Sequence, residues 1–219
     1  MSDSILDAAL READDHPTET DGRRARRDRN RDAVVDALLD LITEGDPNPG
    51  VAEVAERSGV SHRSVFRYFD DLQDLFEVAI AKSSERFAPY FQIHEFGEGP
   101  LDSRIANLVQ QRRTLFEVAG PVMRAGRLRA PTQPIIANDL AETRQLSRRQ
   151  LKMHFAAELG AASKTDRPRL LAAIDAVSSF ESWRLWRDSS GMTEAQAAAT
   201  LSTALHRLLA GELTMEVTP

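Results

Sequence analysis

From residue 29 almost to its end, the chain carries apolar residues at helical spacing, with no stretch of strand-like alternation. This restricts the fold to an all-α class, because each amphipathic helix must bury its stripe against other helices. Val34, Val35, Leu38, Leu39, Leu41 and Ile42 make the first stripe, which stops at Gly45. "DPNPG" then breaks the chain. Val51, Val54 and Ala55 mark a short second helix ending at Gly59; glycine accepts the left-handed conformation that a tight turn between helices needs. Ser61 is placed to cap a third helix, with Val65 and Phe69 at i and i+4 on its inner face. Asp71 is placed to cap a fourth, which runs through Leu75, Phe76, Val78, Ala79 and Ile80 to about Phe91. After a loop at 97–100, helices are expected over about 102–118, 134–159, 167–187 and 193–210, with Pro121 and "APTQP" delimiting a short segment.

Charge is distributed unevenly along these elements. The 219 residues carry a net charge of -6, yet residues 1–22 alone hold seven acids against one arginine. The remainder is neutral, with 27 bases and 27 acids. Directly after the acidic leader comes "RRARRDRNR", six arginines in nine residues, which repel one another unless an anion lies nearby. The expected organisation is a disordered acidic tail (1–22), a basic arm with a DNA-binding unit (23–80) and a larger helical unit (81–219). There are no cysteines, which excludes disulfides, thiolate metal sites and a cysteine nucleophile. There is no run of 18 apolar residues and no signal-peptide pattern, so the expectation is a cytoplasmic protein with no membrane partner.

Two short helices joined through a glycine turn, the second capped by serine, form a helix-turn-helix, whose second helix can enter a major groove. On that helix Val60, Val65 and Phe69 are expected inward, and His62, Arg63 and Arg67 outward. Arginine is suited to reading guanine, since its fork matches O6 and N7. The alternative is a surface helix with ordinary solvated arginines.

The stretch "VAEVAERSGVSHRSVFRYFDDLQDL" resembles the DNA-binding domain of the TetR family of bacterial transcriptional regulators over about residues 29–79. The family pattern is Val-x-x-Ile-Ala-x-x-Ala-Gly-Val-Ser, then Leu-Tyr-x-x-Phe, then a capped helix with a leucine. Val51, Val54, Ala55, Gly59, Val60, Ser61, Val65, Phe69 and Leu75 match it or substitute conservatively. "GMTEAQ" and "HRLLAGE" are similar to the family's C-terminal pieces. Three family phosphate contacts are altered: Phe66 replaces a tyrosine, Leu72 a lysine, and Pro49 and Gly50 stand where a hydroxyl residue precedes the second helix. Tyr68, His62 and the arginine arm are the candidate replacements. The resemblance implies a homodimer on a palindromic double-stranded operator, with DNA contacts from Arg23, Arg24, Arg26, Arg27, Ser61, His62, Arg63, Ser64, Arg67 and Tyr68.

It also implies a repressor released by a small molecule held in the larger unit. Candidate pocket residues are Phe87, Phe91, Leu108, Phe116, Met123, Leu151, Phe155 and Phe180, although apolar residues at helical spacing are more often plain core. Arg112, Arg113, Arg124, Arg127 and Arg129 cluster in sequence and either receive an anionic ligand or form a solvated face. Trp183 and Trp186, with Leu201, Leu205 and Leu208 on an alanine-rich final helix, are the candidate dimer interface, or else internal packing. His154 and Glu158 stand at i and i+4, too few for a metal site, and no metal or cofactor is expected. Gly-x-Ser-x-Gly and His-Glu-x-x-His are absent, so no enzyme is expected. The alternative to an inducible repressor is an all-helical DNA-binding or interaction module without an inducer.

Overall fold

In the computed structural model, residues 19–210 are described, and they contain ten α-helices and no strand. Helix α1 spans Glu19–Glu44, α2 Val51–Ser58, α3 His62–Tyr68 and α4 Leu72–Phe87, followed by a 3₁₀ turn at Ala88–Phe91. Then come α5 Leu101–Arg129, α6 Pro134–His154, α7 Ala156–Ala161, α8 Asp166–Val177 and α9 Phe180–Arg184. A π turn at Leu185–Ser189 leads to α10, Glu194–Leu209.

The helix boundaries have local causes. Gly59 ends α2 with φ 68°, in the left-handed region. The Ser61 side chain caps α3 by accepting from the Ser64 N–H, and Asp71 caps α4 by accepting from the Asp74 N–H at 2.8 Å. Thr193 and Gln196 form a reciprocal capping box at the start of α10.

Four boundaries differ from the sequence expectation. The arginine run is not a separate arm but the first half of α1, which starts at Glu19; residues 1–18 of the expected tail lie outside the described residues. Pro121 does not end a helix but lies inside α5. A proline removes one N–H from the ladder, and here packing holds both halves in line. Leu115, Phe116 and Ala119 are buried before it and Ala125 after it. The expected helix over 134–159 breaks at Phe155, where His154 is pinned by hydrogen bonds. The expected helix over 167–187 breaks at Ser178, and Ser179 caps a new helix by accepting from the Ser182 N–H.

Three apolar clusters hold the elements. The first joins α1, α2, α3 and α4 through Val34, Leu39, Val54, Val65 and Phe69, and also takes in Ala125 of α5. The second joins α5 to α6, α8 and α10 through Ile105, Leu108, Leu151, Phe155, Ile174, Leu201 and Leu205. The third packs Phe87, Leu115, Phe116, Phe180, Trp183 and Ala197. Ion pairs tie α4 along α1: Lys82 to Asp36 at 2.8 Å, Arg86 to Asp40 at 2.7 Å, and Arg31 to Asp74. Deep in the second cluster, Arg104 pairs with Glu158 and donates to the His154 carbonyl at 3.0 Å. The His154 Nδ1 accepts from the Gly97 N–H at 3.0 Å, so Nε2–H is the donor to the Arg104 carbonyl at 2.8 Å. No helix among the described residues is long and apolar enough to cross a membrane.

Candidate nucleic-acid interface and cavity

Arginines at 23, 26 and 27 and Asn30 fall at i, i+3, i+4 and i+7, so they share one face of α1. That face meets α3. Arg23, Arg26, Arg27, Asn30, Arg67 and Tyr68 together line an open cleft. Tyr68 forms its floor. The residue is buried, its hydroxyl accepts from Asn30 Nδ2 at 2.8 Å, and the Arg67 guanidinium lies 5.6 Å from its ring centre. The Asn30 hydrogen bond is the main reason its phenol is held below the ordinary value. Tyr68, expected as an outward contact, is instead buried, with its hydroxyl on Asn30. A cleft with four guanidiniums on its walls concentrates positive charge of the kind that phosphate contacts use.

On the outer surface of α3, Ser61, His62, Arg63 and Arg67 are exposed and Ser64 is half-buried, while Val60, Val65 and Phe69 are buried as expected. Phe66 is 64 % exposed and meets the His62 ring edge-on at 5.4 Å between centroids. An apolar ring here cannot hydrogen-bond a phosphate, but it can contact a thymine methyl group. Arg24 is exposed on α1 but does not line the cleft.

The second feature is a half-open cavity of about 410 Å³, within the size range of small-molecule sites. Phe87, Phe91, Phe116, Met123 and Phe180 line it, as the sequence predicts. Leu108, Leu151 and Phe155 do not; they are fully buried in the second apolar cluster, away from the cavity. One wall was not legible as such in the sequence: Leu38, Leu39 and Ile42 of α1 with Phe76, Ala79 and Ile80 of α4. The cavity therefore touches the two helices that carry the arginine cleft and follow the exposed face of α3.

Its polar lining is concentrated in a few groups. Asp175 of α8 accepts from Arg148 at 3.0 Å and from Arg144 at 3.5 Å. Glu181 pairs with Arg127 at 2.7 Å. Burial, and secondarily Glu142, raises Asp139 above the usual aspartate value. Arg129 donates to the Pro47 carbonyl and to Asn48 Oδ1 at 2.9 Å, joining the end of α5 to the loop between α1 and α2. Arg112 is only 2 % exposed; burial pulls it down to about 10, opposed by the field of Asp175, which still leaves it charged at neutral pH.

The candidate dimer residues separate into two groups. Trp183, Leu201 and Leu205 are buried within the protomer's own core, Trp183 with its indole N–H on Glu117 Oε1 at 2.9 Å. They are not available to a second copy, because each already packs inside the bundle. Trp186 and Leu208 are only partly covered. Leu185 of the π turn is 57 % exposed, and Ala195 and Ala199 of α10 are exposed.

No protein-family model and no curated protein sequence matches the chain. A solved TetR-family transcriptional regulator from Streptomyces coelicolor has a similar structure, with TM-score 0.62 and 22% identity over 83% of each chain. The fold, with its N-terminal helix-turn-helix and larger helical body, is thus shared with that regulator.

Proposed function

We propose that this chain is a TetR-family transcriptional regulator: a cytoplasmic homodimer that binds a palindromic operator and, as a repressor, is released from it by a small molecule. The observation that carries this reading is the convergence of Arg23, Arg26, Arg27 and Arg67 on one cleft beside the exposed face of a serine-capped helix. In this arrangement α3 enters a major groove, Arg63 reads a base edge, and the cleft arginines hold the flanking phosphates. The chain needs only this basic footprint, not a basic surface overall.

The larger body supplies control. A ligand between α1, α4 and α5 presses on the helices that position α3, and Arg129 ties the far end of α5 to the α1–α2 loop. Two recognition helices must stand about 34–36 Å apart to meet successive major grooves. A ligand that changes that separation weakens DNA binding, and by linkage binds less well to the DNA-bound form. Pairing of two copies is assigned to the outer side of the π turn and α10, around Leu185, Ala195 and Ala199.

A gel shift with promoter DNA, with and without cell extract, tests the reading. Retarded DNA that is freed by a small-molecule fraction of the extract is the expected result. Absence of retardation on any flanking promoter would remove the DNA-binding assignment.

A further inference from the structure

The cavity's charges do not balance, and the imbalance centres on Arg112. Its guanidinium makes one hydrogen bond, from Nη1 to Gln111 Oε1 at 2.6 Å, and among the described residues it has no ion-pair partner. Asp175, whose field reaches Arg112, is already taken by Arg144 and Arg148. Glu181 is taken by Arg127. A buried cation without a matching anion is unfavourable in a folded protein unless something else satisfies it. Arg112 faces a void whose other walls include Phe87, Phe116 and Phe180. Of the charged groups on the wall, Arg112 is a buried cation with no ion pair among the described residues, and it shares the void with an aromatic surface, which is the complement of an amphipathic anion.

We propose that the cavity binds a small monocarboxylate with an aromatic or alkyl body, its carboxylate received by Arg112 and its body packed among Phe87, Phe116 and Phe180. The proposal rests on the reading of the cavity as the effector site. A carboxylate accepts two parallel N–H bonds from a guanidinium fork. A dianionic phosphate suits the site less, because Asp139, Asp175 and Glu181 also line the cavity. One surplus positive charge calls for one negative charge. A cavity of about 410 Å³ is of a size that takes a small acid.

The test uses the full-length protein and matched probes: octanoate and 4-phenylbutyrate, their primary amides, and octylammonium. Binding is read by quenching of Trp183, which packs against Phe116, and by thermal shift. At least one acid should bind about tenfold or more tighter than its amide, with octylammonium weakest. Arg112→Gln should bring the acid down to the affinity of the amide while leaving the amide unchanged, and Arg112→Lys should keep part of the preference. The free Arg112→Met protein should melt no lower than wild type, since it loses an uncompensated buried charge; a purely structural arginine would give a clear drop. Equal binding of acid and amide, an Arg112→Gln variant that keeps the preference, or no acid binding to wild type would each overturn the ligand class. Operator release is measured in parallel. Acids that bind through Arg112 yet leave the operator complex intact would defeat the regulatory reading and leave the ligand class standing. Amides that release DNA while acids do not would do the reverse.

Discussion

Replacing Arg26, Arg27 and Arg67 by alanine removes three of the four guanidiniums that line the cleft between α1 and α3. Each phosphate-facing cation contributes about 0.9 to the slope of log K against log salt, so the slope should become shallower by about 2.7 per protomer. On a two-fold site the change doubles to about 5.4. Between about 50 and 200 mM salt, one protomer of the variant should lose about 40-fold less affinity than one protomer of wild type. Fluorescence anisotropy on labelled operator and on a scrambled duplex, across a potassium chloride series, measures both slopes. The loss should be similar on the two duplexes, because a backbone contact carries no sequence information. Arg26 and Arg67 are exposed, and Arg27 is too, so the melting temperature should barely move. A slope within about one unit of wild type would refute a phosphate-facing cleft, and a loss confined to the operator would make these arginines base readers.

Four further outcomes are expected. Arg63→Ala should cost about 1–3 kcal/mol on the operator and far less on scrambled DNA; equal losses would remove it as a reader. Gly59→Ala should destabilise by about 1–2 kcal/mol in urea unfolding through its positive φ alone, since an added Cβ meets no atom within 4 Å; an unchanged midpoint would mean that the turn relaxes. His154 is held below its ordinary pKa chiefly by burial, with the fields of Arg104 and Arg112 adding and the Arg104 carbonyl opposing. Its stabilisation is therefore complete above the unfolded value of about 6.5 and is lost as pH falls below it, when the unfolded chain takes the proton first. The melting temperature should drop less on acidification in His154→Gln than in wild type, and identical profiles would contradict this. Leu185→Glu should shift the particle in light scattering from twice 24.3 kDa towards 24.3 kDa while the protein stays helical; an unshifted dimer would place the interface elsewhere.

The helix-turn-helix could be read from sequence because its punctuation is local. Gly59, Ser61 and Asp71 each do their work within three residues of where they stand. Elsewhere tertiary contacts decided. Pro121 reads as a terminator in any window of sequence, yet burial on either side carries α5 through it. Arg112 and Arg113 are indistinguishable by composition. About 100° of helical rotation puts one in the core and the other on Glu194 at the surface. Likewise Leu108 and Phe116 are both apolar residues of α5, but only Phe116 borders the void. Packing, not residue type, determines where a cavity opens. The arm showed its arginines but not their shared face, because its helix starts at Glu19, well before the first apolar stripe.

Helix α5 is about 43 Å long at 1.5 Å per residue, and it is gripped at both ends. Near its start Arg104 is locked to Glu158 and to the His154 carbonyl in the interior. At its far end Arg129 holds the α1–α2 loop by exposed bonds to Pro47 and Asn48. Between the grips, at the edge of the cavity, Pro121 leaves the Glu117 carbonyl without its ladder donor. In mechanical terms this is a beam anchored at both ends with a notch between its anchors. Such a beam is weakest at the notch. On the proposed effector reading, a solute against Val122 and Met123 sits between the two grips, and the loop at residues 47 and 48, four and three residues before α2 begins, is where its displacement would be read.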